Sequence, residues 1–192
     1  NNLHYRVNRD FYIVAGGGYA YGLGKSYDTG NAELNRFAKK LRSGYGAQLS
    51  LNYLFKDYWG LGLHTDFVRQ KEEFPGVLSI NGVGFPNYSE SNNALFIGPT
   101  AVFRVENSFD FGWGPQFYTN RFESDQATGQ LSKTIFASYA GALFQYRLSP
   151  KFGAGIKLSV SGGKFKQDLN TSEKNSISTT NVMLSGIISI KK

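Results

Sequence analysis

Apolar and polar residues alternate with a period of two along most of the chain. In Tyr45 to Phe55 one parity reads Tyr45, Ala47, Leu49, Leu51, Tyr53, Phe55 and the other Gly46, Gln48, Ser50, Asn52, Leu54. Successive strand residues point to opposite faces, so this segment is a strand with one oily face and one small polar face. Lys56-Asp57 turns the chain. Tyr58 to Gln70 then returns with Trp59, Leu61, Leu63, Thr65 and Phe67 opposed to Gly60, Gly62, His64, Asp66 and Val68. The pattern recurs in Leu95 to Phe117 around Glu106-Asn107-Ser108, and in Ala140 to Val160 around Ser149-Pro150-Lys151. A similar phrase follows each tight turn: Trp59-Gly60-Leu61-Gly62, Phe111-Gly112-Trp113-Gly114 and Phe152-Gly153-Ala154-Gly155. This is an internal repeat of the meander type.

One further strand at each end, Phe11 to Gly24 and Ile177 to Ile190, brings the predicted total to eight. Short turns near 56–58, 106–108 and 149–151 alternate with long loops near 25–42, 70–92, 122–133 and 163–176. Such alternation is the habit of outer-membrane barrels, with short turns on the periplasmic side. The expected fold is all-β: an eight-stranded antiparallel up-and-down transmembrane β-barrel. It forms a single domain over 1–192, with a periplasmic tail at 1–10 and both termini periplasmic.

A soluble eight-stranded barrel of the lipocalin kind is the architectural rival. It would carry Lys, Glu and Asp on its outward parity. Here the strand cores hold few charges beyond Asp66, Arg104, Asp110, Arg147 and Lys157, and the polar parity is mostly Gly, Ser, Thr, Asn and Gln. Small polar groups suit a narrow filled lumen. Tyr53, Phe55, Trp59, Phe103, Phe109, Phe111, Trp113, Tyr146 and Phe152 gather around the short turns, as a girdle at one membrane–water interface would. The oily face therefore meets lipid.

Composition changes this picture little. With 16% aromatics, 23 glycines and only 18% charged residues, the chain favours strands and turns over helices. A mean hydropathy of −0.33 with no long apolar run excludes a transmembrane helix and leaves a barrel open. The absence of cysteine removes disulfides, thiolate metal sites and cysteine nucleophiles. The net charge of +7 is dispersed apart from Lys39-Lys40-Leu41-Arg42 and the terminal Lys191-Lys192, which points to solvated, lipopolysaccharide-facing loops rather than nucleic acid. The opening Asn1-Asn2-Leu3 reads as a mature chain whose secretory signal has been removed.

The aromatic-Gly-x-Gly phrases and the turn Tyr146-Arg147-Leu148-Ser149-Pro150-Lys151-Phe152-Gly153 resemble the small OmpA/OmpX-type outer-membrane barrels, and among them those of Bacteroidota. The resemblance covers nearly the whole chain and brings no catalytic signature. It implies a Gram-negative outer-membrane protein embedded in lipid and lipopolysaccharide. The chain departs from that family at its end, Ile188-Ser189-Ile190-Lys191-Lys192, where an aromatic assembly signal is common.

Chemistry is sparse. A lipase-type site needs a serine, a histidine and an orienting acid within reach. His4 lies in the tail, and His64 has inward parity beside Asp66, away from lipid. His64 is expected to bond Asp66, Gln48 or water. Gln48, His64, Asp66, Arg104, Gln116, Gln145, Arg147 and Lys157 share the inward parity and form an expected lumen polar network, a plug that blocks solutes; Arg104 and Arg147 have the alternative of touching water at the periplasmic mouth. No metal or cofactor is expected. The segment Phe74 to Tyr88 is uncharged, with a hairpin signal at Asn81-Gly82. Its Phe74, Val77, Leu78, Ile80, Val83, Phe85 and Tyr88 form a candidate partner surface, or a loop that buries its own hydrophobes. The expected function is a non-enzymatic barrel, structural or an accessory subunit of a larger outer-membrane complex for assembly, secretion or uptake. The alternatives are a lipid-modifying enzyme and a narrow channel.

Overall fold

A computed structural model describes residues 10–24, 31–56, 58–80, 83–105, 108–124, 131–168 and 174–191. Eight long strands form an antiparallel sheet: β1 (Asp10–Gly22), β2 (Ser43–Lys56), β3 (Trp59–Glu73), β6 (Ser89–Val105), β7 (Phe109–Ser124), β8 (Leu131–Arg147), β9 (Phe152–Asp168) and β10 (Lys174–Lys191). The order is β1-β10-β9-β8-β7-β6-β3-β2, and β1 pairs with both β10 and β2, so the sheet closes on itself. Closure leaves no strand edge to meet hydrocarbon.

Two elements lie outside the wall. Helix α1 (Ala32–Lys40) precedes β2, and a hairpin of β4 (Val77–Ile80) and β5 (Val83–Pro86) joins β3 to β6. Among the described residues no helix is long and apolar enough to cross a membrane.

The alternation holds strand by strand. In β2, Gly46, Gln48, Ser50, Asn52 and Leu54 are buried while Tyr45, Ala47 and Leu49 are exposed. In β3, His64, Asp66 and Val68 are buried between exposed Leu61, Leu63 and Phe67. The outward apolar run from Trp59 to Phe67 rises roughly 20 Å along the barrel axis at usual strand rise and tilt, close to the band that such barrels present to lipid.

The repeated glycines have a packing reason. A Cβ added at Gly60, Gly114 or Gly155 would fall on the backbone carbonyl of Tyr53, Pro99 or Phe144 in the neighbouring strand. Each repeat thus contributes one position where two strands approach too closely for any side chain.

Pro99 and Pro115 face each other across β6 and β7. The pairing keeps one register but breaks between Ile97↔Phe117 and Ala101↔Trp113. Neither proline has an N–H to give, so the ladder loses rungs without orphaning a donor there.

The strands outrun the apolar pattern. Ladder pairing reaches Glu73↔Ser89 in β3–β6, Glu90↔Ser124 in β6–β7 and Lys174↔Asp168 in β9–β10. Segments expected as loops at 70–92, 122–133 and 163–176 are therefore largely strand, because backbone pairing continues where side chains turn polar. The expected loop at 25–42 contains α1. Strand β1 also begins one residue earlier than expected, at Asp10, and residues 1–9 lie outside the described residues.

Candidate functional site

The lumen is filled in layers. Toward the short-turn end, Tyr12, Val14, Leu54, Val102, Leu143 and Ile187 form one buried apolar cluster. Nearer the long-loop end, Ala20, Val68, Ala94, Phe96, Tyr118, Ala137 and Met183 form another. The register places His64 and Ser50 between them, since Gly60↔Val102 lies to one side and Val68↔Ala94 to the other.

That middle layer is polar. The Ser50 hydroxyl lies 2.7 Å from His64 Nδ1, and Lys157 Nζ is 3.4 Å from both groups. His64 Nε2 lies 2.9 Å from Asp66 Oδ1, off the axis of a straight N–H hydrogen bond. Ser161 donates to the other Asp66 oxygen at 2.7 Å. Tyr139 stacks on the His64 ring at 3.9 Å between centroids, and the Lys157 ammonium lies 5.2 Å from the Tyr139 ring. Ser50, His64 and Asp66 are 6%, 1% and 1% exposed. A serine, a histidine and an aspartate thus stand in triad order, yet the adjoining cavity is about 30 Å³, room for a water and not for an ester.

A second cluster closes the short-turn end. Arg104 and Asp110 are directly opposed on β6 and β7 and make a two-pronged ion pair, Nε–Oδ1 2.7 Å and Nη2–Oδ2 3.0 Å. Tyr12 donates to Asp110 Oδ2 at 2.8 Å, and its ring lies 4.6 Å from the Arg104 guanidinium. Asp10 approaches Arg104 at 3.7 Å and pairs with Lys191 at 2.7 Å. Ser189 donates to Gln145 at 2.6 Å.

A third polar layer lies at the opposite mouth. Gln70 donates to the Arg42 carbonyl at 2.6 Å and accepts from Asn92 at 2.9 Å.

Most residues expected in the lumen are there. Gln48, His64, Asp66, Arg104, Gln116, Gln145 and Lys157 are all buried. Gln48 and Gln116 have no protein partner for their amides, so Gln48 does not hold His64. Arg147 is a correction: it is exposed at the last residue of β8, where the wall ends and inward parity no longer means enclosure. Arg104 keeps the expected lumen placement, buried in an ion pair, and its alternative of touching water is the part corrected. Asp110, Tyr12, Ser50, Tyr139 and Ser161 were not anticipated. Asp110 carried a signal, since it lies between outward Phe109 and Phe111.

The expected interface aromatics face outward or are half-buried on the outer wall. Phe103, Phe109, Phe111, Trp113, Tyr146 and Phe152 are exposed, while Tyr53, Phe55 and Trp59 are half-buried in an edge-to-face chain at 5.2 and 5.1 Å. Trp113 sits above the others, paired with Ala101 and Ala140.

The candidate partner segment is mostly folded in on itself. Phe74 and Leu78 are buried with Phe37 of α1, and Leu34, Phe85 and Tyr88 pack around them. Phe37 meets Phe74 edge-on at 5.6 Å and Tyr88 at 6.0 Å. Val77 and Val83 stay exposed. Asn81-Gly82 and the Ile80 side chain lie outside the described residues, but Ile80↔Val83 pairing sets the hairpin. Helix α1 was missed; its signals were the Asn31 cap, which accepts from the Glu33 and Leu34 amides, and Glu33 in its first turn. Lys40 of the helix pairs with Glu72 of β3 at 3.3 Å.

No family model matches the chain, and no curated protein sequence matches it. Solved structures do resemble it. Ail, the attachment invasion locus protein of Yersinia pestis, in complex with the heparin analogue sucrose octasulfate, superposes with a TM-score of 0.57 at 18% identity, covering 95% of this chain and 99% of Ail. Neisserial surface protein A gives 0.53 at 14%, covering 94% and 96%. The outer membrane protein OprG from Pseudomonas aeruginosa gives 0.52 at 15%, covering 97% of each chain. The identities are low and the coverage nearly complete, so what is shared is the architecture. The chain has the fold of the small outer-membrane β-barrels, with an apolar band on the outward face of its wall.

Proposed function

We propose that the protein is a non-enzymatic outer-membrane barrel that anchors a preformed extracellular platform for a partner protein of the envelope, as a structural or accessory subunit. The observation that carries this is the separate core of a crown made by α1 and the segment with the β4–β5 hairpin, where Phe37, Phe74 and Leu78 are buried. Ordering a helix and a hairpin costs conformational entropy on every residue, and a crown fixed in advance spares a binding partner that cost. Val77 and Val83, 61% and 55% exposed, are the apolar points it presents.

The filled lumen supports the same reading. Eight strands leave room for little beyond side chains, and two apolar layers flank the polar one. That arrangement disfavours a channel. A lipid-modifying enzyme would need Ser50 or His64 within reach of acyl chains, and both face inward. The aromatic-Gly-x-Gly phrases support a place among OmpX-type barrels of Bacteroidota.

The test is affinity purification of the tagged full chain from detergent extracts, beside the variant Val77→Lys/Val83→Lys. Both positions are exposed, so the variant keeps the barrel. A stoichiometric partner with the wild type, lost from the variant, is expected. If both emerge alone, or both keep the same partner, the platform reading fails.

A further inference from the structure

Along the lipid-facing parity of β1, β2, β3, β6 and β7, charge is absent through the apolar band and first returns at Arg69 and Arg121. Register pairs Tyr19 with Tyr45, Tyr45 with Arg69, Arg69 with Asn93 and Asn93 with Arg121. Five neighbouring strands therefore carry Tyr, Tyr, Arg, Asn and Arg side by side on the outer wall. Below Arg69 come Phe67 and Thr65; below Asn93 come Leu95 and Ile97; below Arg121 come Thr119 and Phe117.

The height of this line follows from strand geometry. Arg69 is ten residues up β3 from Trp59, and Arg121 twelve residues up β7 from Phe109. At usual rise and tilt these are roughly 25 and 30 Å above the inner aromatic girdle. Hydrocarbon ends at that height. Both arginines are exposed, and at that height an arginine stem can cover apolar wall while its guanidinium reaches the headgroup level.

We propose that Arg69, Asn93 and Arg121 form a site for the phosphate of a phosphorylated glycolipid in the outer leaflet. Two strand spacings put the arginine backbones roughly 10 Å apart, a span that two side chains of this length can close on one phosphate. Guanidinium groups match phosphate with paired, charge-assisted hydrogen bonds, while the Asn93 amide offers a neutral donor between them. Tyr45 beside Arg69 is 60% exposed and gives the headgroup an amphipathic flank. The proposal rests on the outer-membrane reading, because only there does this line of residues face an outer leaflet.

The experiment uses the full chain inserted into phosphatidylcholine vesicles containing either diphosphorylated lipid A or its dephosphorylated form. Native mass spectrometry then reads the lipid retained. The wild type retains the phosphorylated form in preference to the dephosphorylated one. Arg69→Gln/Arg121→Gln lowers that retention about ten-fold, the loss of roughly one charge-assisted hydrogen bond. Arg36→Gln, on the exposed side of α1, leaves it unchanged. Equal retention of the two lipids, full retention by the Arg69/Arg121 variant, or loss in the α1 variant would each overturn the site. So would displacement of the lipid by inorganic phosphate at buffer concentration, which marks a free-anion site. Failure of the wild type to enter vesicles would overturn the membrane reading along with it.

Discussion

Removing the carboxylate of Asp110 isolates the energetics of the lower lumen. In Asp110→Ala the Arg104 guanidinium keeps its burial, with a side chain 5% exposed, but loses both short contacts at 2.7 and 3.0 Å. Deleting one partner of a buried ion pair costs about 3–5 kcal/mol because the other charge is stranded. Two local facts adjust this. Asp10, 3.7 Å from Arg104, still offers partial compensation. Tyr12 loses its acceptor, adding roughly 1 kcal/mol. The net expectation is about 3–4 kcal/mol, near the lower half of that range. Replacing the pair together, Arg104→Met/Asp110→Leu, removes both desolvated charges and is expected to recover most of the loss. The assay is equilibrium urea unfolding of the detergent-folded barrel, followed by emission from the two tryptophans, Trp59 and Trp113, which both lie on the outer wall. The urea-unfolded reference hydrates Arg104 fully, so the burial penalty appears in the measured difference. A single-variant loss below about 0.5 kcal/mol, the range of ordinary surface substitutions, would refute the reasoning, as would a double variant no more stable than the single one.

Three further outcomes follow from the same geometry. Gly155→Val drives side-chain atoms into the Phe144 carbonyl and is expected to abolish barrel folding, read as loss of the folded fraction in detergent, whereas Gly186→Ala meets open space and folds normally. Pro99→Val restores one N–H opposite Pro115 and is expected to raise unfolding stability by about 0.5–1 kcal/mol in the same urea titration. The wild-type protein in planar bilayers is expected to show no unitary conductance, because apolar layers lie on both sides of the His64 layer; steady openings would contradict the filled lumen.

Much of the barrel was legible because a closed wall has only two sides and alternation assigns every strand residue to one of them. Gln48, His64, Asp66 and Lys157 were found this way. Hairpin register carried more than alternation did. With a tight turn at 57, Ser50 falls opposite His64, and with a turn near 107, Arg104 falls opposite Asp110. Both partnerships follow from counting back from the turn. What alternation could not supply were contacts between strands far apart in order, such as Ser161 to Asp66 and Tyr12 to Asp110, since these depend on the width of the closed lumen. The crown was illegible for a related reason. Phe37 is buried by Phe74 and Leu78, nearly forty residues on, so α1 shows only a thin apolar stripe locally. Parity also stopped working at wall ends, where Arg147 meets water.

The contacts that span the lumen have a mechanical consequence. Going round the wall, β3 and β9 stand four strands apart, as do β1 and β7. Lys157 and Ser161 reach from β9 to His64 and Asp66 of β3, while Tyr12 reaches from β1 to Asp110 of β7. These are two diameters, crossed at right angles and set at different depths. A thin tube squeezed by lateral pressure flattens along one axis and swells along the other. Whichever axis lengthens, one of these struts is pulled, so the tube resists becoming oval in either direction.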